Sequence, residues 1–497
     1  MRDLQAVHAF VEKQRRRRQS NKVLHGHPSP VHWLERNLVM DDVLRARERA
    51  NRDIRKQINL YVGTPYCLPT DPDRCGFCLF PSEIYTGHRQ LDEYLGYLER
   101  EGDLFRDHFA GTELASIYFG GGTSNLYKAD QYPRLMDVVR GVFDIPPHIE
   151  VTLEGIPQTF SHDKLLGMKQ SGMNRISMGV QQLDDKLIKA SGRKQRAEQV
   201  YCTLESCDAL GLPASVDLIF GWPNQTLDVM VRDLEAMAAT GVTHITHYEL
   251  NVAGRTDFSR NRRGELPSTE DNLEMYRVGK AVLESCGYTQ VTPYDFERRD
   301  GELASSYLYE ELFRQPFQQT DNGPIGFDAW GWGYAGISFF FGTPQSPGWA
   351  FMNQVRIEEY FRCIRDGRFP VMRGFHYTPA DLRLHLLFQE LQGMSVDREA
   401  YHRRFGLDVV DEHRVVWTAF EDLEWVEVGK NRITLLGDGV FYLPLLQTAL
   451  AHDRNEQMRR KQSTTTVSVP ASPPLPLVAS SRAFSEPNGS TSESSLG

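Results

Sequence analysis

The chain has 497 residues, of which 40% are hydrophobic and 25% charged, and its formal net charge is −10. This composition is ordinary for a globular protein of roughly two to four domains, and the acidic balance argues against general nucleic-acid binding. The start, MRDLQAVHAF, lacks the apolar core of a secretory signal, and no run of about 18 apolar residues could span a membrane. We therefore expect a cytoplasmic protein with neither a nucleic-acid nor a membrane partner.

Short β-rich runs alternate with amphipathic stretches from about residue 57 onward. The runs cover residues 58–63, 115–122, 148–155, 174–181, 214–221 and 244–250. Alternation of strands with helices predicts parallel strands covered by helices. Six such units predict an α/β fold, a partial or complete β/α barrel of the TIM type. In such a barrel the chemistry takes place at the carboxyl ends of the strands.

The pattern changes after about residue 300. Residues 331–343 are rich in glycine and aromatic side chains, and later helices followed by a hairpin at 425–439 resemble a winged-helix module. The last stretch is rich in Ser, Thr and Pro, which predicts disorder. We divide the chain into an N-terminal arm (1–56), a barrel (57–300), a barrel-completing and substrate-pocket segment (301–376), a mostly helical, winged-helix-like domain (377–461) and a disordered tail (462–497).

Three of the seven cysteines lie on one proline-containing loop, YCLPTDPDRCGFCLF. Cys75 and Cys78 are two residues apart, so both thiolates can reach one metal centre, and seven residues separate Cys67 from Cys75. Three interpretations remain open: a [4Fe–4S] cluster with one open iron position, a zinc site, and a role in packing or a disulfide. The isolated Cys202, Cys207, Cys286 and Cys363 are expected to pack.

Polar or glycine residues stand at the end of one predicted strand after another. They are Gly120, Gly121, Gly122 and Thr123 after the second strand, Glu154 after the third, Gln181 after the fourth with Arg193 beyond it, and Asp217 in the fifth. Because the carboxyl ends of parallel strands face one mouth, we expect these residues to lie together. The glycines alone would also fit a tight turn.

In these features the chain resembles the radical SAM superfamily. Within it, the chain is similar to the oxygen-independent coproporphyrinogen III oxidase family and its haem-chaperone and class C methyltransferase relatives. The motifs that carry the resemblance are LYVGTPYC…CGFC, SIYFGGGTS, VTLEGIP, NRISMGVQQLDDKLIKASGR and VDLIFGWPNQT. They cover roughly residues 57–345, and weaker similarity continues to about 445.

The resemblance implies a role for each candidate residue. Cys67, Cys75 and Cys78 would ligate a [4Fe–4S] cluster whose fourth iron binds S-adenosylmethionine (SAM). The Gly120–Thr123 motif would receive the ammonium group of SAM, and the strand-end residues would bind its polar groups, with Arg193 suited to the carboxylate. Phe77 and Ile219 would flank the adenine, and Tyr61 would lie near the cluster. A flavodoxin or ferredoxin would supply the electron that produces a 5′-deoxyadenosyl radical.

Three departures from the family pattern bear on the reaction. The family has three residues, not seven, between its first two cysteines, a histidine in place of Gly63, and in the oxidase an extra cysteine where this chain has Leu79-Phe80. These differences favour methyl or methylene transfer, with a second SAM, over coproporphyrinogen oxidation in porphyrin biosynthesis. A haem-chaperone-like protein that holds the cluster without turnover is a third alternative.

The resemblance also limits the substrate to a small molecule, a tetrapyrrole or another unsaturated ring compound. Tyr248 and Glu249 end the sixth strand, and together with residues 331–343 they are candidates for lining a pocket for this substrate or a second SAM. His244 and His247 are three apart on a strand, so they face opposite sides, and we interpret both as structural.

Overall fold

The structure is a computed structural model, and it describes residues 3–16, 26–33, 38–252, 256–298 and 307–465. Two helices precede the first strand: α1 (Leu4–Arg15) and α2 (Met40–Asp53). Val7 and Val11 of α1 are fully buried. The segment predicted as an N-terminal arm therefore includes a helix that packs its apolar face, although the domain division itself stays a prediction.

The central part alternates strands and helices. In chain order these elements are β1 (Arg55–Thr64), β2 (Tyr66–Cys67), β3 (Glu83–Ile84), α3 (His88–Phe105), β4 (Glu113–Gly121), α4 (Tyr132–Arg140), β5 (Glu150–Gly155), α5 (His162–Gln170), β6 (Arg175–Gln181), α6 (Asp185–Ala190), α7 (Ala197–Ala209), β7 (Ala214–Phe220), α8 (Leu227–Ala239), β8 (His244–Glu249), α9 (Asp257–Asn261) and α10 (Thr269–Ser285). Each predicted strand run overlaps one of β1 and β4 to β8.

Mostly antiparallel strands follow. They and their intervening helices are β9 (Thr289–Gln290), β10 (Asp295–Glu297), α11 (Leu308–Arg314), β11 (Phe317–Thr320), β12 (Gly323–Gly333), β13 (Ile337–Gly342), β14 (Pro347–Asn353), α12 (Ile357–Arg365) and β15 (Val371–His376). The main sheet has the order β15-β14-β13-β12-β1-β4-β5-β6-β7-β8-β10-β9, and β11 pairs with β12.

The parallel part of the sheet confirms the predicted α/β architecture. Strands β1 and β4 to β8 are parallel neighbours, and β12 adds a parallel strand on the other side of β1. Side chains of β1, β4, β7, β8 and β13 line one cavity, so the sheet curves around it. The hydrogen-bonded path ends at β15 and β9, and the barrel is therefore partial.

Helix α11 lies inside this curve, toward the amino ends of the strands. The Glu150 carboxylate, at the start of β5, accepts hydrogen bonds from the backbone N–H groups of Leu308 and Tyr309 at 3.1 and 3.2 Å. Asn59 of β1 donates to the Tyr309 carbonyl at 2.9 Å. A carboxylate at a helix N-terminus satisfies N–H groups that have no partner within the helix. These contacts hold α11 as the floor of the cavity.

The C-terminal region is mostly helical and holds a small antiparallel sheet, β16-β18-β17. Its elements are α13 (Pro379–Gln392), β16 (Ser395–Asp397), α14 (Arg398–Phe405), α15 (Val409–Glu412), α16 (Arg414–Glu421), β17 (Val426–Val428), β18 (Arg432–Leu435), α17 (Asp438–Phe441), α18 (Leu443–Leu450) and α19 (His452–Thr465). Helix α1 packs on α16 and α18. The predicted disordered tail overlaps the end of α19, and its remainder lies outside the described residues. Among the described helices, none has the length and hydropathy needed to cross a membrane.

Candidate active site

The three clustered cysteines lie on the loop that follows β1. Cys67 belongs to β2, while Cys75 follows Arg74 in a turn where both residues have positive φ, 52° and 58°. Positive φ is uncommon for residues other than glycine and costs about 1–3 kcal/mol. Thr70 stabilises this turn, because its hydroxyl accepts from the Cys75 N–H and donates to the Pro72 carbonyl, each at 2.9 Å. The seven-residue segment between Cys67 and Cys75, which contains the insertion, thus has its own hydrogen bonds.

The thiols of Cys67, Cys75 and Cys78 are free and face a common region. Burial raises the pKa of all three, and for Cys78, which also lies near the other two thiols, it raises the pKa to about 12. Within the described parts of the chain, no three or more His, Cys, Asp or Glu side chains are placed around a single metal ion. A [4Fe–4S] cube is bound differently, because each thiolate holds a separate iron atom.

Arg193 is the cation that faces these thiols. Its side chain is buried, its Nη2 donates to the Gly179 carbonyl at 2.6 Å, and its charge interacts with all three cysteines and with Tyr248. The neighbouring Gly192 contacts the insertion so closely that an added Cβ would lie 2.3 Å from the Asp71 carbonyl oxygen. The insertion therefore packs against the loop that carries Arg193.

The glycines after β4 allow close approach of the cluster loop. A Cβ on Gly122 would lie 2.5 Å from the Tyr66 carbonyl oxygen, and Gly121 has a φ of 107°. The Gly122 N–H donates to the Thr64 carbonyl at 2.7 Å, and the Thr123 N–H to the Tyr66 carbonyl at 2.8 Å. The glycines thus let the backbone after β4 pack directly against the segment that leads to Cys67.

Two carboxyl groups lie at the same mouth. Burial, with the Asp217 charge nearby, raises the pKa of Glu154 to about 8, although Glu154 accepts hydrogen bonds from the Gly121 N–H and the Tyr118 hydroxyl. Burial also raises the pKa of Asp217 to about 6, with Asp295 as a further cause. Such carboxyl groups are suited to hydrogen bonds with hydroxyl or ammonium groups of a ligand that enters this site.

The remaining predicted residues lie on both sides of this mouth. Gln181 has a φ of 68° at a bulge in β6 and accepts a hydrogen bond from the Tyr248 hydroxyl at 3.4 Å. Phe77 packs in one apolar cluster with Ile219, and its ring lies 5.0 Å from that of Trp222. Tyr61 stacks on Tyr118, with 5.7 Å between the ring centroids.

A cavity of about 820 Å³ adjoins these residues. Its lining includes Tyr61, Asp217, Tyr248 and Glu249, which the sequence suggested, but many lining side chains were not predicted. These further residues include Tyr118, Ser177, Thr246, Asp295, Tyr307, Tyr309 and Glu310. Tyr118 could have been predicted from the sequence as a lining residue, since it shares a strand face with Gly120. Ala335, Ile337 and Phe339 also line the cavity, within the 331–343 segment that the sequence suggested. Tyr307, Tyr309 and Glu310 carried no recognisable signal, because their contacts depend on how distant segments pack.

Comparisons with known proteins identify the class. Residues 72–237 match the model of the radical SAM superfamily. The chain is 29% identical over 238 residues to the haem chaperone HemW of Haemophilus influenzae, covering 47% of this chain and 61% of that protein. It is 27% identical over 362 residues to the oxygen-independent coproporphyrinogen III oxidase of Escherichia coli, covering 72% and 76%. The match thus spans about three fifths of the length of that haem chaperone.

The fold agrees with a solved structure of an oxidase. The chain superposes on coproporphyrinogen III oxidase (HemN) from Escherichia coli with a TM-score of 0.73 and 22% identity, covering 86% of this chain and 96% of HemN. The chain therefore contains a radical SAM domain. More particularly, its relatives are HemW haem chaperones and oxygen-independent coproporphyrinogen III oxidases, and its fold is that of HemN.

These relatives bear on the three alternative functions, which are methyl transfer, coproporphyrinogen oxidation and a haem-chaperone role. The resemblance to the superfamily is confirmed, and a domain of this superfamily implies a [4Fe–4S] cluster and SAM. The preference for class C methyl transfer is not supported, since the relatives include oxidases and haem chaperones, which fit the two alternatives better. The departures at Gly63 and Leu79-Phe80 were therefore weak grounds for choosing methyl transfer.

Proposed function

We propose that this chain is a radical SAM enzyme of the coproporphyrinogen oxidase type. It removes a hydrogen atom from a tetrapyrrole or related unsaturated ring compound bound in the 820 Å³ cavity. The observation that carries the proposal is the position of Tyr248. This side chain lines the cavity and also lies beside Arg193 and Cys78, so the thiol site and the cavity share a wall.

The residues present fit the expected cofactors. Cys67, Cys75 and Cys78 are free thiols in one region, and glycines after β4 let the neighbouring backbone pack closely against the loop that carries them. These thiols would hold a cluster that, when reduced, would supply one electron for cleavage of the carbon–sulfur bond of SAM. Arg193 would bind the carboxylate of SAM through two parallel hydrogen bonds.

The other strand-end residues would position the nucleoside. Asp217 would accept hydrogen bonds from the ribose hydroxyl groups, Glu154 and the glycine motif would hold the ammonium group, and Phe77 with Ile219 would contact the adenine. One SAM molecule is sufficient for hydrogen abstraction, so the proposal needs no second one. A flavodoxin or ferredoxin in the cytoplasm would be the electron donor.

A haem-chaperone function is the second candidate. It is favoured by the matches to HemW, of which that in Haemophilus influenzae is 29% identical. The lengths of the matches do not separate the two functions, since the Escherichia coli oxidase matches over 362 residues and the HemW of Bacillus subtilis over 352. The large cavity beside the thiols, however, suits a substrate that reacts there. Release of 5′-deoxyadenosine separates the two functions, because a carrier without turnover would release little.

The decisive experiment is SAM cleavage after anaerobic reconstitution with iron and sulfide. With dithionite as reductant, we expect the wild-type protein to form 5′-deoxyadenosine, measured by liquid chromatography. Cys78→Ser should reduce the product to background, because a cluster ligand is lost. Cys202→Ser is the matched control, since this exposed cysteine lies on α7, outside the site.

The same assay can contradict the proposal. If Cys78→Ser forms as much 5′-deoxyadenosine as the wild type, the cluster assignment is wrong. If the wild type makes none yet binds haem, the chaperone alternative is favoured. Equal amounts of S-adenosylhomocysteine and 5′-deoxyadenosine in the presence of a substrate would indicate methyl transfer.

A further inference from the structure

Asp295 is a carboxylate on the cavity wall, and three neighbouring side chains contact its oxygen atoms. It begins β10, and its side chain is 19% exposed. The Thr246 hydroxyl donates to Oδ1 at 2.9 Å and the Thr292 hydroxyl donates to Oδ2 at 2.6 Å. His244 Nε2 lies 3.3 Å from Oδ1.

A second layer positions His244. Arg175 Nη2 lies 3.0 Å from His244 Nδ1. The imidazole therefore lies between the Arg175 guanidinium and the Asp295 carboxylate. Arg175 is held in turn over the Tyr307 ring, 4.0 Å from its centroid. The strand histidine interpreted as structural is thus part of a chain from Arg175 to the cavity wall.

These side-chain contacts keep Asp295 ionised. Burial alone raises the pKa of Asp295, but hydrogen bonds from His244, Thr292 and Thr246 outweigh it and hold the pKa well below its usual range. For the neighbouring Asp217 and Glu310, burial instead raises the pKa, to about 6 and about 7, and the charge of Asp295 is a further cause. Among these three cavity carboxyl groups, Asp295 is therefore the persistent anion.

Asp295 retains capacity for a ligand. A carboxylate can accept about four hydrogen bonds, so the three contacts from Thr246, Thr292 and His244 leave about one acceptor position on a side chain that lines the cavity. Thr246 also lies beside Asp217, the residue expected at the ribose of SAM. A group bound to Asp295 therefore lies immediately beside the nucleoside site.

We propose that Asp295 accepts a hydrogen bond from a pyrrole N–H group of the substrate and so selects a reduced, flexible tetrapyrrole over its planar oxidised form. This inference rests on the proposed function. In a porphyrinogen a pyrrole ring can turn out of the mean plane, so that its N–H group can reach the remaining acceptor position of Asp295. In a porphyrin the N–H groups point into the ring and cannot reach an external acceptor. Asp295 is thus assigned as a specificity-determining residue that touches the substrate.

The test compares two ligands that carry the same four carboxylates. Coproporphyrinogen III and coproporphyrin III are titrated anaerobically and in the dark into the reconstituted protein without reductant, and affinities are measured by calorimetry. We expect the wild type to bind the porphyrinogen at least about tenfold more tightly, the usual effect of a hydrogen bond to a charged group. Asp295→Asn should remove this preference by weakening porphyrinogen binding while leaving porphyrin binding unchanged.

Asp366→Asn is the control variant, since Asp366 is half-exposed after α12 and should keep the wild-type preference. Equal affinities of the wild type for both ligands, or binding of neither, would overturn the inference, and this outcome does not depend on how the variant folds. An equal loss of both affinities in Asp295→Asn would indicate a merely structural role and would also overturn it. The SAM-cleavage assay is independent, so the proposed function can hold while this inference fails.

Discussion

At the scale of single residues, there is a steric reason for the glycine at position 63, where the family pattern has a histidine. In the register of the sheet Gly63 is paired with Gly333 on one side and Gly120 on the other, so three adjacent strands have glycine at the same level. A Cβ on Gly63 would lie 2.8 Å from the Tyr334 carbonyl oxygen. The position therefore has no room for the histidine of the family pattern unless the 331–336 turn moves.

Gly63→Ala should lower the free energy of unfolding by about 1–3 kcal/mol, because the added methyl group forces a backbone shift in a packed region. Urea unfolding of both proteins measures the difference. Gly96→Ala on α3 is the control, since the nearest atom to its added Cβ is 3.9 Å away and alanine favours a helix. A loss for Gly96→Ala as large as that for Gly63→Ala would contradict the steric explanation.

At the scale of elements, α3 holds the ends of β1 and β12 together. The Tyr94 hydroxyl donates to the Gly63 carbonyl at 2.5 Å and accepts from the Tyr334 N–H at 2.9 Å. Two helical turns further on, the fully buried Glu101 accepts from the Gly333 N–H at 3.1 Å and from the Tyr360 hydroxyl at 2.6 Å. The helix thereby fixes the glycine-rich turn that borders the cluster loop.

Glu101 makes this attachment of α3 to the ends of β1 and β12 sensitive to pH. Burial raises its pKa to about 7, even though hydrogen bonds from Tyr360, Asn353 and Gly333 act in the opposite direction. In the unfolded chain a glutamate titrates near 4.3, so the folded state binds the extra proton between these values. The contribution of Glu101 to stability is therefore fully present below the unfolded pKa and is lost as the pH rises through about 7.

We expect the stability of the wild type, relative to Glu101→Gln, to fall by roughly 2–3 kcal/mol between pH 5 and pH 8. Urea unfolding at several pH values gives this difference directly. Glu99→Gln, on the exposed side of the same helix, serves as the control. A difference that stays constant, or rises with pH, would show that Glu101 is ionised across this range.

At the scale of the whole molecule, Asp381 joins the two ends of the described chain. It belongs to α13 and is fully buried, with His27 Nε2 at 3.5 Å and Arg454 Nε at 2.6 Å from its Oδ1. Burial alone raises the pKa of Asp381, but hydrogen bonds from His27, Arg454 and Thr378 hold it well below its usual range. Since Pro28 and Trp33 line the cavity, this ion pair secures one cavity wall.

Asp381→Asn should lower the free energy of unfolding by about 3 kcal/mol, because it leaves the Arg454 cation without its carboxylate in a largely buried site. Denaturant unfolding measures the loss. Asp366→Asn removes an exposed surface pair with Arg368 and should leave the free energy of unfolding nearly unchanged. If the two variants lose equal stability, the buried ion pair does not join the chain ends as described.

The sequence alone determined the class of chemistry. The cysteine spacing and the polar residues at strand ends are local patterns, and period-two alternation places Tyr118 and Gly120 on one face before any tertiary contact is known. The order of elements likewise indicated parallel strands covered by helices. These features depend on residues close together in the chain, and such residues keep their geometry wherever the segment packs.

Only the tertiary structure decided what surrounds the site. Asp295 meets His244 because β10 pairs antiparallel with β8, and Asp381 meets His27 because the N-terminal segment packs against α13. Neither contact has a sequence signal, since the partners are brought together by burial of apolar surface elsewhere. The charge, shape and specificity of the cavity are therefore properties of packing between distant segments, whereas the identity of the reactive centre is a property of local spacing.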